Sequence, residues 1–365
     1  MHAINSLIRW ILIILTILIS LYCDKDNSTQ PINEDETNWI NGPSTEIDST
    51  NYYVSTQGND ETDGQSREKA FRTLAKAFQS VRPGGTIYIL PGTYEESLGL
   101  QNMGRSDVRI VVTGLDGIPT IDGRNSRALG IFCEQCKGME FRNLKIKNYT
   151  DIGIGASYCE NMTFENLNVT ENGHKVQLRD WELEGYGIHI EFCERVIILK
   201  NDVSQNGPEP QVFPDYLMGT GINTFGNRDV LIRNNVSYQN TGGGILVEDS
   251  FDVLVDSNEV YENDLDASQD EWWDGGLWLD GGGNVTVRDN LFRNNLGPGI
   301  EISDEDNQHP TGYILENNIS TENYWGIFIW NFETAGWPAD SILHLSGNDF
   351  SGNSRDSVWI EARLE

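Results

Sequence analysis

Basic residues are scarce in this chain. Lys and Arg together number 25 against 56 Asp and Glu, a net charge of −31 at pH 7 over 365 residues. A surface that acidic repels phosphate backbones and anionic lipids, which excludes nucleic acid and anionic membrane surfaces as partners. It suits a protein kept soluble outside the cell, or one that collects divalent cations. Long apolar runs are scarce too. The one from Trp10 to Leu21 falls short of the ~20 residues a spanning helix needs. With Arg9 before it and Cys23 after it, residues 1–23 read as a secretory signal segment rather than part of the fold. Residues 24–50 lack the apolar content to fold and read as a polar, disordered tether.

What the chain does have is a repeat. The Gly before each short apolar strand serves as an anchor: Gly130, Gly153, Gly187, Gly221, Gly244, Gly276, Gly299 and Gly326. Nine and eleven residues after the first six anchors come apolar residues, as in the pairs Val230, Ile232 and Val253, Val255. Asn recurs fourteen after in four successive units (Asn201, Asn235, Asn258, Asn290) and nineteen after in five (Asn172, Asn206, Asn240, Asn263, Asn295). The shortest anchor-to-anchor step is 23 residues, and longer steps keep the frame after an insertion. A period in this range marks a solenoid. Apolar residues alternate within a unit, as in Gly187-Ile188-His189-Ile190, which is the strand signature. Three short strands per unit, stacked into parallel sheets, give an all-β solenoid whose coils bury their inward faces only by stacking. The recurring Asn residues are expected at turn corners in left-handed backbone, their amides bonding from coil to coil. Leucine-rich and propeller repeats need Leu at fixed places or about 40 residues per unit, and neither pattern is present.

On these residues the chain resembles the right-handed parallel β-helix superfamily, the pectin-lyase-like fold. Its start resembles the capping segment of such proteins: Tyr52-Tyr53-Val54-Ser55, Gly58-Asn59-Asp60, Asp63-Gly64, Phe71-Arg72-Thr73-Leu74, Pro83-Gly84-Gly85-Thr86-Ile87-Tyr88-Ile89 and Pro91-Gly92-Thr93-Tyr94. The resemblance implies one β-helix domain over 51–365, of about ten coils. Leu74, Ala77, Phe78 and Val81 have helical spacing and are expected to form a short N-terminal capping helix. Ser20-Leu21-Tyr22-Cys23 resembles a bacterial lipoprotein cleavage box, and Asp24-Lys25-Asp26 a surface-export tag of diderm lipoproteins. These imply lipidation at Cys23 and a secreted, cell-surface or outer-membrane location in a diderm bacterium. The membrane would then be met only through the anchor, by a protein that is otherwise a monomer.

Cys136, Cys159 and Cys193 each lie six residues after an anchor, so the frame stacks them on adjacent coils, with Cys133 nearby. The spacing Cys133-Glu134-Gln135-Cys136 admits a metal site. A space-filling thiol ladder is the plainer reading, and adjacent coils also lie within disulfide range.

Insertions separate one face from the rest. Five loops, 173–186, 207–220, 264–275, 303–311 and 331–340, flank the anchor strands, while the other corners stay tight. Loops at one face of a rigid scaffold are where sites are built. In the polysaccharide lyases and hydrolases the chain resembles, the cleft lies over the corresponding strand. Residues two and four after each anchor are expected to face outward there. Glu248 and Asp280 then sit on adjacent coils with Glu301 on the diagonal, and these three are the candidate catalytic residues. Two carboxyls about 5–5.5 Å apart match a retaining glycosidase, and about 6.5–9.5 Å an inverting one. Crowding raises one carboxyl's pKa and favours an acid role. His189, Glu191, Asn223, Trp278 and Trp330 are the candidate substrate-binding residues, the indoles as stacking surfaces for sugar rings. Asp264, Asp266, Asp270 and Asp274 are candidate Ca²⁺ ligands, although Gln269 stands where a Ca²⁺ loop has its turn Gly.

Lyases of this fold typically use a Lys or Arg base and Ca²⁺. Here the last Lys is Lys200, and Arg142, Arg233 and Arg288 fall on a different face. The Asp-pair, Gly-His-Gly and Arg-x-Lys signatures of polygalacturonase-like hydrolases are absent, so the resemblance assigns no catalytic residue. Two readings stand. The chain is a surface enzyme, lyase or hydrolase, that degrades or remodels a polysaccharide. Alternatively it is a non-catalytic adhesin, glycan-binding or structural β-helix protein.

Overall fold

Each repeat unit folds into three short strands, and equivalent strands of successive units pair in parallel. The computed structural model describes residues 37–42, 45–173, 183–209, 217–266, 274–304, 311–330 and 343–360. They form three parallel sheets. The anchor sheet runs through eleven strands from Asn38–Asn41 to Asp356–Ile360, and a second sheet of eleven runs from Asn51–Val54 to Leu343–Ser346. The third has nine short strands, from Thr93–Tyr94 to Ile319–Thr321. This is the expected parallel β-helix. Its first strand lies inside the segment read as a tether, for Asn38–Asn41 pairs with Leu98–Gln101. A four-residue strand docked on a preformed edge needs little apolar content of its own, which is why composition hid it.

Inward residues from all three sheets fill the tube. Ile222, Ile245, Leu277 and Ile300 stack along the anchor sheet, and Ile198, Ile232, Val255 and Val287 along the second, all fully buried. The anchors are Gly because the chain passes too close to the third sheet for a side chain. A Cβ on Gly244 would lie 2.3 Å from Val260 Cγ1 and 2.8 Å from Asn263 Nδ2. The capping helix α1 (Leu74–Ser80) buries Leu74, Ala77 and Phe78 as expected. The Glu96 carboxylate accepts from the free backbone N–H groups of Leu74 (2.8 Å) and Ala75 (3.0 Å), which stabilises the helix start.

The Asn residues form two ladders through buried corners. Asn235 donates its backbone N–H (2.9 Å) and its Nδ2 (3.0 Å) to Asn258 Oδ1, and Asn258 does the same to Asn290 (2.8 and 2.9 Å). The ladder Asn is not the left-handed residue. The residue before it is: Asn234 has φ 55°, Ser257 57°, Asp289 55°, and in the other ladder Gln239 54° and Glu262 56°. Left-handed backbone at that position turns the corner, and the following Asn then points inward along the tube axis.

The cysteines form a thiol ladder. Cys159 Sγ accepts from the Cys136 backbone N–H and Cys193 Sγ from that of Cys159, each at 3.2 Å. Asn227 Oδ1 (2.8 Å from Cys193 N) and Ser250 Oγ (3.1 Å from Asn227 N) continue the series. Cys133, Cys136, Cys159 and Cys193 are all buried and free, so the ladder stands without a disulfide.

Candidate functional site

The outer face of the anchor sheet gathers the predicted residues in the predicted frame. Glu248 pairs with Asp280, Asp280 with Ser303, Trp278 with Glu301, and Glu301 with Phe328. Parallel neighbours lie about 4.8 Å apart, so Glu248 and Asp280 are adjacent, with Glu301 one coil on and two residues back. His189 pairs with Asn223, and Glu191 with Phe225, at the earlier coils. The middles of the flanking insertions, and with them Asp270, lie outside the described residues, as does Cys23. The first two insertions end as strand: Leu183–Glu191 and Leu217–Phe225 run in register from Leu183 with Leu217 to Glu191 with Phe225.

Exposure departs from expectation. Trp278 is 7% exposed, Asp280 6% and Glu301 1%. Trp278 is therefore no open platform for a sugar ring. Its Nε1 donates to Ser303 Oγ at 2.7 Å, and Ser303 Oγ donates to Asp280 Oδ1 at 2.8 Å, so indole and hydroxyl together orient the carboxylate. Trp330 Nε1 donates to Glu301 Oε1, giving the second indole a like duty, while its ring stays partly exposed. A Trp two residues after an anchor is outward, as read, but outward is not the same as exposed where insertions flank the sheet.

More carboxylates gather here than the frame revealed. Asp304 is fully buried at the end of strand Ile300–Ser303, and Asp249 follows Glu248. Burial pushes the Tyr313 hydroxyl well above its ordinary pKa, and Asp280, Asp304 and Asp249 push it further, which puts all three near that phenol. Asp249 and Asp304 occupy turns, where no alternation marks a side chain's direction.

Just before the anchor strand Leu277–Asp280, Asp264, Asp266 and Asp274 each bring a carboxylate oxygen within 4.8 Å of the others. Three of the four predicted metal ligands thus converge. Asp264 and Asp266 are buried, and Asp264 Oδ2 also accepts from the Gly275 backbone N–H at 3.3 Å. A Cβ on Gly275 would lie 3.5 Å from Glu301 Cβ, so this cluster adjoins the catalytic candidates. Hard, anionic oxygen donors this close together fit Ca²⁺, which takes about six to eight oxygens.

The earlier coils hold a different constellation. Asn223 Nδ2 lies 2.8 Å from His189 Nδ1, and Glu191 Oε2 lies 3.7 Å from His189 Nε2. The Tyr186 ring tilts against the imidazole at 4.8 Å. Burial pushes Glu191 up, but His189 and the Ser157 hydroxyl outweigh it and hold the carboxyl below its ordinary pKa. Asp151 is pushed up to about 6 by burial, with His189 opposing. Asp151 escaped the sequence reading because it precedes its anchor, Gly153, and so falls outside the outward rows.

Comparison with known proteins fits this architecture. A solved pectate lyase, Pel9A, superposes with a TM-score of 0.60 at 16% identity, covering 90% of this chain and 83% of that one. The A-module of the mannuronan C-5 epimerase AlgE4 of Azotobacter vinelandii gives 0.47 at 15% identity, over 76% of this chain and 90% of the other. An uncharacterized Bacillus subtilis protein, YwoF, is 44% identical over 52 residues, which is 14% of this chain and 11% of that protein's length. The model of the Pel9A-like, right handed beta helix region matches residues 52–338, and the chain belongs to that family.

Proposed function

We propose that the chain is a carbohydrate-active protein that lays a polysaccharide along the outer face of the anchor sheet and cleaves or remodels it with Glu248, Asp280 and Glu301. The observation that carries this reading is the register of Glu248 on Asp280 with Glu301 on the next coil, two of the three oriented by indole or hydroxyl donors. Ser303 and Trp330 donate to Asp280 and Glu301 and so orient both carboxyls, while Glu248 is partly exposed and within reach of a sugar on this face. The likeness to a pectate lyase supports a polysaccharide as partner. His189, Glu191 and Asn223 line the same face two coils earlier and extend it for a chain of several sugars.

Asp264, Asp266 and Asp274 would hold Ca²⁺ beside Glu301. The ion would offset the acidic face and supply positive charge for an anionic sugar. Export through the segment 1–23, a lipid at Cys23 and a monomeric state complete the proposal. The test is turnover of neutral and uronic polysaccharides by the full chain, with and without chelator. Glu248→Gln with Asp280→Asn is expected to lower turnover by about 10²–10⁴-fold. Full turnover in that double variant would remove these residues from the chemistry. An oligosaccharide that binds but is never turned over would favour the non-catalytic glycan-binding reading instead.

A further inference from the structure

The outer face of the anchor sheet ends at a corner, five residues after each anchor, where the chain turns toward the second sheet. That corner residue has left-handed backbone in successive coils: Gln135 (φ 54°), Tyr158 (52°), Phe192 (50°), Gly226 (63°), Asp249 (44°) and Gly281 (68°). Gly, Asn and Asp enter this region readily, and a bulky side chain does so at a cost. Two successive coils nevertheless carry an aromatic ring there. Backbone strain of this kind persists only where the surroundings hold it, and it gathers at binding sites.

The two rings are held in place. Tyr158 and Phe192 stack with centroids 5.1 Å apart and planes 16° from parallel, and the Phe225 ring meets Phe192 edge-on at 5.0 Å and 75°. A Cβ on Gly226 would lie 2.8 Å from Phe192 Cδ1 and Cε1, so the bare backbone of that coil makes room for the ring. Burial does not account for this stack. Phe141 and Phe164 stack inside the tube and are fully buried. Tyr158, by contrast, is 52% exposed, and Phe192 and Phe225 are partly exposed. Rings left in water return little of the free energy that burial supplies.

Register joins the stack to the acidic centre. Phe225 pairs with Glu191 on one side and with Glu248 on the other. Tyr158, Phe192, Phe225 and Glu248 thus follow one another on consecutive coils, about 4.8 Å per step. We propose that Tyr158, Phe192 and Phe225 form an aromatic rail that binds successive sugar rings by their C–H faces and leads the polysaccharide to Glu248. The inference rests on the polysaccharide reading above and adds to it a binding position that works through apolar area. Pyranose rings fit because they carry C–H surface on the ring faces and hydroxyls at the rim. The faces cover the rail, and the hydroxyls meet His189 and Glu191, both partly exposed beside it. The rail lies wholly on one side of Glu248. An oligosaccharide gains from all of it only when long enough to span the three coil steps to Tyr158, about 14 Å.

The test titrates the full chain by calorimetry with size-graded oligosaccharides of xylan, glucomannan, alginate and polygalacturonate, from disaccharides upward. For the sugar that binds, wild type is expected to hold long oligomers about 10-fold more tightly than disaccharides, the return on covering about 55 Å² of apolar surface. Tyr158→Asn with Phe192→Asn is expected to erase that gain. Asn suits left-handed backbone, so the double variant is also expected to keep the wild-type melting temperature. If it melts lower, Tyr158→Asn alone, at the most exposed of the three rings, repeats the titration. Affinity that does not grow with length in wild type, or that grows equally in the variant, overturns the rail and leaves the polysaccharide reading standing. No binding or turnover of any of these sugars by wild type overturns that reading and the rail with it.

Discussion

A ladder amide serves four partners. Asn258 Oδ1 accepts from the Asn235 backbone N–H and Nδ2, and Asn258 Nδ2 donates to Ile232 O and to Asn290 Oδ1. No water reaches these groups, since Asn235, Asn258 and Asn290 are each at most 2% exposed. Asn258→Ala leaves buried donors unmatched, and each such group costs about 1–3 kcal/mol. A loss of about 3 kcal/mol is expected in urea unfolding, because neighbouring amides relax and share the cost. A loss below about 1 kcal/mol would mean the ladder is decoration. The spacing of Asn was legible because the partner is the same residue type one coil away. Its conformation was misread, because a left-handed corner and an inward amide fall on consecutive residues, and composition alone cannot tell which of the two the Asn supplies.

At the scale of a strand, the inward and outward sets decide what a substitution does. Val230 and Ile232 point into the tube, and Leu231 between them lies partly exposed. Ile232→Asp puts a carboxylate among Ile198, Val255 and their neighbours with no partner in reach. Burying a lone charge costs more than a domain's whole margin of about 5–15 kcal/mol can spare, so cooperative unfolding is expected to disappear. Leu231→Asp, one residue away, is expected to stay within about 1 kcal/mol of wild type by the same thermal measurement. Equal effects from the two would contradict the winding phase. That phase was readable because the strand period of two and the Gly anchors set it independently. The strand Asn38–Asn41 was not readable, because its pairing partner is 60 residues away: Asn38 pairs with Leu98. Trp278 shows the other limit. Alternation says which way a side chain leaves the sheet, and nothing about what lies over it.

Across the whole molecule, charge is sorted by face. Arg233 and Arg288 meet Asp256 on the second sheet at 2.6 and 3.3 Å, and Arg293 meets Glu259 at 2.7 Å on the third. The carboxylates of Asp264, Asp266 and Asp274 crowd together on the anchor side instead, in a chain of net charge −31. Like charges this close repel, and a bound divalent cation converts that repulsion into stability. Linkage then gives a measurable gain of about 2.7 kcal/mol at a hundredfold excess of Ca²⁺ over its Kd. Thermal unfolding of wild type is therefore expected to shift upward with added Ca²⁺ and back with chelator. Asp264→Asn with Asp274→Asn is expected to abolish the shift. A Ca²⁺ response that survives it would place the ion elsewhere on the acidic surface.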